Sequence, residues 1–383
     1  MKTKKIVVFV ISAVVLCVGG MFYYVFALNN AEEVKKINEN LINDYTREKF
    51  ISRILDRGGV ILYREKIEKH IANNYDKFKN KDDVEKSLSD YIELYNNSFK
   101  FLNYFKKISA MNTKDYREIK RNLVNFNFSL VSKKLDFLNT KKNSSDIESV
   151  RKYFGAIVMD LDFNYDKAES LYKESININK YNINFYVGYS NFLYNNNKFS
   201  EGIILIEKAL NGLVVFSQQD SVNNLKLLLN LARFYYLNGN YNKSLEKLNT
   251  LLIQSLNYNN DTYKMFAAYN IALLNNKSGS YSDAVNNFIY SFKLSTKLNN
   301  TRYALKSLSN LSLASYNLKR YDEGEFYGIK AIVKAEDLED VIIIADASYN
   351  VCLNFNEMEK KEMANIYCEL AKKVNNKLKD TIF

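Results

Sequence analysis

The residue types that most often carry catalysis are scarce in this chain of 383 residues, which has one histidine and three cysteines. The histidine, His70, lies among Lys and Glu residues, and this context predicts an exposed position on a charged helix face. A Ser-His-Asp triad has no second candidate histidine, and no cluster has the spacing of metal ligands. Gly58-Gly59 is not followed by the GxxxxGK pattern of a phosphate-binding loop. We therefore predict a protein that is not an enzyme and has no catalytic residue, metal site or cofactor.

The cysteines are too few for a disulfide framework. Cys17 lies in the apolar N-terminal run, whereas Cys352 and Cys368 fall on what we interpret as the two helices of one hairpin. We expect the latter two to be small buried hydrophobic residues. A disulfide between them stays open, because it requires closely spaced Cα atoms.

The formal net charge of the chain is +11. Lys2, Lys4 and Lys5 begin the chain, and later basic residues alternate with acidic ones, as in residues 65–69. This alternation is typical of solvated helix faces rather than of a basic stripe that binds nucleic acid. We predict no nucleic-acid partner and no small-molecule substrate.

Proline and tryptophan are absent from the chain. Proline breaks helix interiors, so its absence fits a helical protein. An AT-biased genome, which also enriches Lys, Asn, Tyr and Phe, explains the composition at least as well.

Residues 6–28 form an apolar run without a charged residue. A bilayer core of ~30 Å needs about 20 apolar residues in a helix, and the preceding lysines favour the cytoplasmic side. The run predicts a transmembrane helix, inner-membrane localisation with a single pass, and a C-terminal domain in the periplasm. Two alternatives stay open: a signal peptide cleaved after residues 25–27, and a lipoprotein anchored through Cys17.

Residues 31–143 predict an N-terminal helical region without an obvious repeat, in which helical hairpins pack on the rest of the chain. Ser145-x-x-Glu148 matches a capping box and follows a polar stretch, which marks the best domain boundary. We therefore expect a basic tip and membrane segment over 1–30, the helical region over 31–143, and a repeat array over 144–383. The four helices expected in the second segment cover 31–55, 60–78, 82–107 and 113–139.

The third segment contains a repeat. Asn230, Asn270, Asn310 and Asn350 recur every 40 residues, and each opens a similar motif. Tyr241, Tyr281, Tyr321 and Lys361 keep the same spacing further along the motif. Two looser copies precede these four, around Tyr165 and Phe199.

A helix pair cannot bury its apolar face alone, so a repeat of this length predicts helix pairs that stack on copies of themselves. The first helix of a pair should end in two copies at a glycine with positive φ, Gly239 and Gly279. The tyrosine after each glycine should wedge its ring under the hairpin. Small residues are expected where the two helices cross: Ala232 with Ser244, Ala272 with Ala284, and Ser312 with Gly324.

The best copy, residues 230–244, resembles the tetratricopeptide (TPR) motif, and the spacing resembles the long-helix subclass that includes kinesin light chain repeats. The resemblance covers residues ~150–372 and is strong for four copies. It implies an all-α fold, a right-handed TPR-like superhelix of about six antiparallel helix pairs, preceded by the transmembrane helix. The chain departs from the motif in having no closing proline, no glycine at Lys319, and neither glycine nor tyrosine at Glu359 and Lys361.

The same resemblance implies a concave groove in which Asn230, Asn270, Asn310 and Asn350 bind the backbone of a peptide. An asparagine amide has two donors and one acceptor, which suits a peptide backbone. Recent duplication alone also explains the regular asparagines. The other groove residues implied are Arg233, Tyr269, Lys306 and Tyr349.

The predicted function is a membrane-anchored scaffold that faces the periplasm and binds protein or peptide partners. The chain also looks like the TPR collar components of spirochaetal periplasmic flagellar motors, which implies a structural subunit as one alternative. A further alternative is an accessory protein of outer-membrane assembly, which requires a lipid on Cys17.

Overall fold

The computed structural model describes residues 45–57, 63–78, 84–138, 144–212 and 218–381. The regular structure within these ranges is helical, and the all-α prediction is confirmed. Its helices, in chain order, are α1 Arg47–Arg57, α2 Arg64–Asn73, α3 Val84–Ser109, α4 Thr113–Val124, α5 Phe128–Asp136, α6 Ser145–Leu161, α7 Tyr165–Ile178, α8 Ile183–Asn195, α9 Phe199–Gly212, α10 Gln218–Leu237, α11 Tyr241–Asn257, α12 Asp261–Lys277, α13 Tyr281–Lys297, α14 Thr301–Asn317, α15 Tyr321–Asp337, α16 Val341–Glu357 and α17 Lys361–Thr381.

The chain divides into two compact units. One is Thr46–Asn270, and the other contains the described residues from Ile271 onwards. Within the first unit α6 pairs with α7 and α10 with α11, and within the second α14 pairs with α15 and α16 with α17. These partners follow each other across short turns, as expected for stacked helix hairpins.

The turns between helices share one backbone conformation. Gly239 and Gly279 have φ of 76° and 85°, as predicted from the motif. Lys319 and Glu359, which replace the glycine in the next two copies, adopt φ of 60° and 59°. The left-handed turn is therefore kept in all four copies, although it is unfavourable for a residue with a Cβ atom.

Two of the three predicted pairs of small residues are seen to meet where the helices cross. Ser244 Oγ donates to the Ala232 carbonyl oxygen at 2.8 Å, and Ser312 Oγ donates to the Gly324 carbonyl oxygen at 2.6 Å. A larger side chain at either serine would separate the two helix backbones. The tyrosine of the motif behaves differently from the prediction, because Tyr241 is 40% exposed and packs on Tyr236 with ring centroids 5.4 Å apart.

The helical region before residue 144 is more divided than predicted. The helix expected over 113–139 is broken at Phe126, whose φ is 56°, into α4 and α5. Asn112 caps α4, with its side-chain oxygen accepting from the Asp115 amide. Likewise, Ser144 rather than Ser145 caps α6, with Oγ accepting from the Ile147 amide at 3.3 Å.

Cys352 and Cys368 are joined by a disulfide, with Cα atoms 5.1 Å apart. The expectation of two separate buried thiols is therefore wrong. The bond links α16 to α17 inside one hairpin.

The predicted transmembrane segment 6–28 lies outside the described residues, as do the cleavage site and Cys17. None of the helices α1 to α17 combines the length and the hydrophobicity needed to cross a bilayer. The predicted localisation, a single-pass inner-membrane protein with its repeats in the periplasm, is corrected on this finding: the structure does not support it.

Candidate functional site

The unit Thr46–Asn270 contains a cavity of about 750 Å³. It lies between the long helix α3 on one side and α6, α7, α8 and α10 on the other. We call this cavity the α3 cleft. Its volume falls within the range of ~300–1,000 Å³ that is usual for ligand-binding pockets.

Helix α3 is held in place by one apolar face, which the helical spacing of the sequence predicts. The residues of this face are 6% exposed or less: Leu88, Tyr91, Ile92, Tyr95, Phe99 and Leu102. Tyr91 also donates its hydroxyl to the carbonyl oxygen of Leu161 at 2.9 Å, and the ring of Phe101 lies 5.2 Å from that of Tyr153. These contacts fix the α3 wall of the cleft against α6.

The walls of the α3 cleft are rich in aromatic rings. Tyr91 stacks on Phe163 with centroids 5.4 Å apart and planes 5° apart. Tyr153 stacks on Phe185 at 4.8 Å, which orients it from behind. A Cβ atom at Gly188 would lie 2.8 Å from two atoms of the Tyr153 ring, so the glycine makes room for that ring. The aromatic walls are therefore supported by ring stacking, within the cleft for Tyr91 and outside it for Tyr153.

Asp160, in the last turn of α6, lines the cleft together with several tyrosines. Burial raises the pKa of its carboxyl to about 7, and the charge of Asp90 adds to the rise. Burial also raises the pKa of the neighbouring tyrosines, with the charge of Asp160 as the next cause. These tyrosines are Tyr91, Tyr153, Tyr165 and Tyr172.

Among the other charged residues that line the cleft, some are exposed and one is paired with a residue of opposite charge. Asp90 is paired with Lys86 at 2.5 Å. Glu93 is exposed on α3. Lys100 and Lys226 also line the cleft, but neither contributes to the shifted pKa of Asp160. Asp160 thus has no ion pair or hydrogen bond to its side chain among the described residues.

Two amide side chains of the cleft are held by α10. Asn223 donates to Asn184 Oδ1 at 3.0 Å, and Asn230 donates to Asn191 Oδ1 at 2.8 Å. Both acceptors line the cleft. Oriented amides can form hydrogen bonds with the backbone of a bound peptide.

The four repeated asparagines are not equivalent. Asn230 is 6% exposed and donates both to Asn191 and to Ser190 Oγ, and Asn350 is 7% exposed and donates to the carbonyl oxygen of Ser309 at 2.9 Å. Asn270 and Asn310 are half-buried and donate to carbonyl oxygens of their own helices, at Phe266 and Lys306. Two of the predicted groove residues therefore also join neighbouring helix pairs, and peptide binding by all four stays a prediction.

The remaining predicted groove residues are distributed over both units. Arg233 and Tyr269 are half-buried on α10 and α12 in the unit Thr46–Asn270. In the other unit, Lys306 is half-buried on α14, and Tyr349 is 54% exposed on α16. Burial raises the pKa of Asp346 to about 6, and the charge of Lys306 opposes this rise.

The sequence predicted that His70 would be exposed on a charged helix face, and this prediction is wrong. Its ring stacks on that of Phe126 at 4.3 Å, and its Nε2 is buried without a hydrogen-bond partner in the described part of the chain. Burial lowers the pKa of His70 to about 4, with the charge of Lys77 as the second cause. His70 follows the buried Ile67 by one helix turn, so it lies on the inner face of α2.

Neither Asp160 nor the role of α3 as a cleft wall was predicted from the sequence. A signal for Asp160 is present, because it is the one charged residue in the apolar run 153–161 at the end of α6. An isolated acid in an apolar helix face marks a group with a specific environment. The α3 wall has no comparable signal, because α3 lies outside the repeats.

No protein-family model matches the chain, and no curated protein matches it. Solved structures similar to it include the apo form of RapI, with 15% identity, 61% of this chain and 99% of that chain covered, and a TM-score of 0.47. Another is the aspartyl phosphate phosphatase F from Bacillus subtilis, with 13% identity, 89% of this chain and 94% of that chain covered, and a TM-score of 0.47. A third is a putative kinesin light chain of Podosopora anserina with nearly identical TPR-like repeats, at 14% identity, coverage of 51% and 95%, and a TM-score of 0.42. Since these TM-scores are below 0.5, the repeat architecture rests on the helix pairs described above.

Proposed function

We propose that this chain is a helical-repeat protein that binds a partner protein by taking up an extended segment of it in the α3 cleft. The observation that carries the proposal is the α3 cleft itself, with its volume of about 750 Å³ and its aromatic walls. Tyrosine and phenylalanine are enriched where proteins bind one another. Because stacking on neighbouring rings holds Tyr91 and Tyr153 in place, binding would require little ordering of these side chains.

The amides of the cleft favour a peptide over a purely apolar ligand. Asn184 and Asn191 are oriented by hydrogen bonds from Asn223 and Asn230. A peptide backbone presents one donor and one acceptor per residue, which matches amide side chains. Asn230, predicted to bind the peptide directly, would then act through Asn191. No contact among the described residues supports the two alternative roles, a flagellar collar subunit and an accessory protein of outer-membrane assembly.

A selection experiment tests the proposal. A displayed library of random 12-residue peptides is selected on the full chain, and enriched peptides are measured on two variants. Val187→Trp fills the cleft from α8, whereas Ile204→Trp adds the same ring at a residue of α9 that is 68% exposed and outside the cleft. Circular dichroism confirms that both variants are folded.

We expect peptides that bind the unmodified chain and Ile204→Trp equally and lose binding to Val187→Trp. Enriched peptides that bind all three chains equally would place the binding surface elsewhere. A selection without any enriched peptide would contradict peptide binding as such.

A further inference from the structure

Asp160 lines the α3 cleft without a cation paired to it, unlike its acidic neighbour on α3. Asp90, the other acid close to it, is paired with Lys86. In the described part of the chain, no lysine or arginine forms an ion pair with Asp160, and no donor forms a hydrogen bond with its carboxylate. A carboxylate that is ionised in such a place is poorly solvated and gains from a cation supplied by a ligand.

The surroundings of Asp160 suit a cation in a second way. Four tyrosines from three helices line the same cleft and are near enough for the charge of Asp160 to raise their pKa: Tyr91 from α3, Tyr153 from α6, and Tyr165 and Tyr172 from α7. The face of an aromatic ring attracts a cation that approaches within about 6 Å of its centre. A site formed by a carboxylate and tyrosine rings therefore favours a ligand that has a positive charge at the end of an apolar stem.

We infer that Asp160 and the tyrosines around it form a subsite for a lysine or arginine side chain of the segment bound in the α3 cleft. This inference rests on the proposed function and specifies its ligand. The aliphatic stem of the cationic side chain packs along the rings, and its charged head reaches the carboxylate. Charge complementarity of this kind contributes more to the choice of partner than to total affinity.

The experiment is a second library selection, carried out in parallel on the unmodified chain, on Asp160→Asn and on Asp283→Asn. Asparagine keeps the size of the side chain and removes its charge. Asp283 is exposed on α13 and provides the matched control. Peptides enriched on the unmodified chain and on the control should share a lysine or arginine at one position, and those enriched on Asp160→Asn should lack this preference.

A double-mutant cycle then assigns the cation to its partner. One enriched peptide is prepared with its shared lysine replaced by norleucine, or its shared arginine by citrulline, and both forms are titrated against the unmodified chain and Asp160→Asn. We expect the replacement to weaken binding to the unmodified chain about tenfold, as for a hydrogen bond to a charged group, and to change binding to Asp160→Asn by less than about twofold.

The outcomes separate the two proposals. Enriched peptides without a shared cation, or a cation whose loss weakens binding equally in both chains, overturn the Asp160 subsite and leave peptide binding in place. The absence of any enriched peptide overturns peptide binding and the subsite with it. An organic cation such as agmatine that binds at Asp160 while no peptide does would show a small-molecule site instead.

Discussion

The side-chain amide of Asn350 on α16 donates a hydrogen bond to the carbonyl oxygen of Ser309 on α14, 2.9 Å away in the preceding helix pair. Asn350 follows Asn310 by one repeat, yet Asn310 donates to Lys306 within its own helix. The same residue type at the same position of the repeat thus has two structural roles. Sequence periodicity alone does not separate them.

Replacing Asn350 by alanine should lower the stability of the chain. The change removes the hydrogen bonds from Asn350 to the carbonyl oxygen and the hydroxyl of Ser309 in the preceding helix pair, which costs about 1–2 kcal/mol in the free energy of unfolding. Asn270→Ala is the control, since Asn270 is half-buried and donates to Phe266 in its own helix. Denaturant unfolding measures the free energy of unfolding of both variants. Equal losses of stability would contradict the distinction between an asparagine that joins two helix pairs and one that bonds within its own helix.

The buried histidine predicts a dependence of stability on pH. The pKa of His70 is lowered by burial to about 4 in the folded chain, below its usual value of 6.5. The folded state therefore favours the neutral ring, and stability present above pH 6.5 is lost as the pH falls through 4. The loss is of the order of 1–3 kcal/mol.

The variant His70→Phe should flatten this dependence, because phenylalanine keeps the stacking on Phe126 and has no proton to gain. Thermal unfolding between pH 7 and pH 4 measures the effect. Lys69→Gln, at an exposed neighbouring position, should retain the dependence of the unmodified chain. An unchanged slope in His70→Phe would assign the acid sensitivity to other groups.

Asp160 predicts the opposite trend at higher pH. Burial raises the pKa of its carboxyl to about 7, and Asp90 faces it from α3. Its contribution to stability is complete below the unfolded value of 3.8 and is lost as the pH rises through 7. Asp160→Asn should therefore raise the free energy of unfolding by about 1–2 kcal/mol at pH 8 and by little at pH 4. The control Asp283→Asn should change neither value, and a variant Asp160→Asn that is less stable at pH 8 would contradict the burial of an unpaired charge.

The turn at Lys319 offers a stabilising substitution. Lys319 is exposed and adopts φ of 60°, where glycine has no steric cost. Lys319→Gly should stabilise the chain by about 0.5–1 kcal/mol, since the strain removed exceeds the added entropy of the unfolded state. The reciprocal change, Gly279→Ala at φ of 85°, should destabilise it by about 1 kcal/mol. Thermal unfolding measures both, and a destabilised Lys319→Gly would show that the lysine side chain contributes more than its backbone costs.

The parts of the fold that repeat were predictable, and the parts that do not repeat were mostly missed. The spacing of 40 residues located the hairpins, the positive φ of Gly239 and the Ser244–Ala232 crossing, because each copy needs the same turn and the same close contact. It did not show that Lys319 keeps the left-handed turn, since neighbouring copies impose a conformation that its own residue type disfavours.

The candidate site was less predictable, because its residues come from elements far apart in the sequence. The charged neighbours of His70 suggested exposure, but they lie on the other face of α2 from Ile67 and His70. The helix α3 forms one wall of the cleft through contacts such as that between Phe101 and Tyr153, 5.2 Å apart. Contacts of this kind depend on tertiary packing and leave no local pattern.

The most direct test of binding in the α3 cleft is methyl NMR of the full chain during titration with one enriched peptide. Leu94, Ile157 and Val187 line the cleft, whereas Ile204 and Ile253 are exposed outside it. If the cleft is the binding site, the methyl signals of the first three residues shift in proportion to occupancy and those of the other two stay in place. Shifts confined to Ile204, Ile253 or the unit Ile271–Phe383, with the cleft signals unchanged, would contradict it.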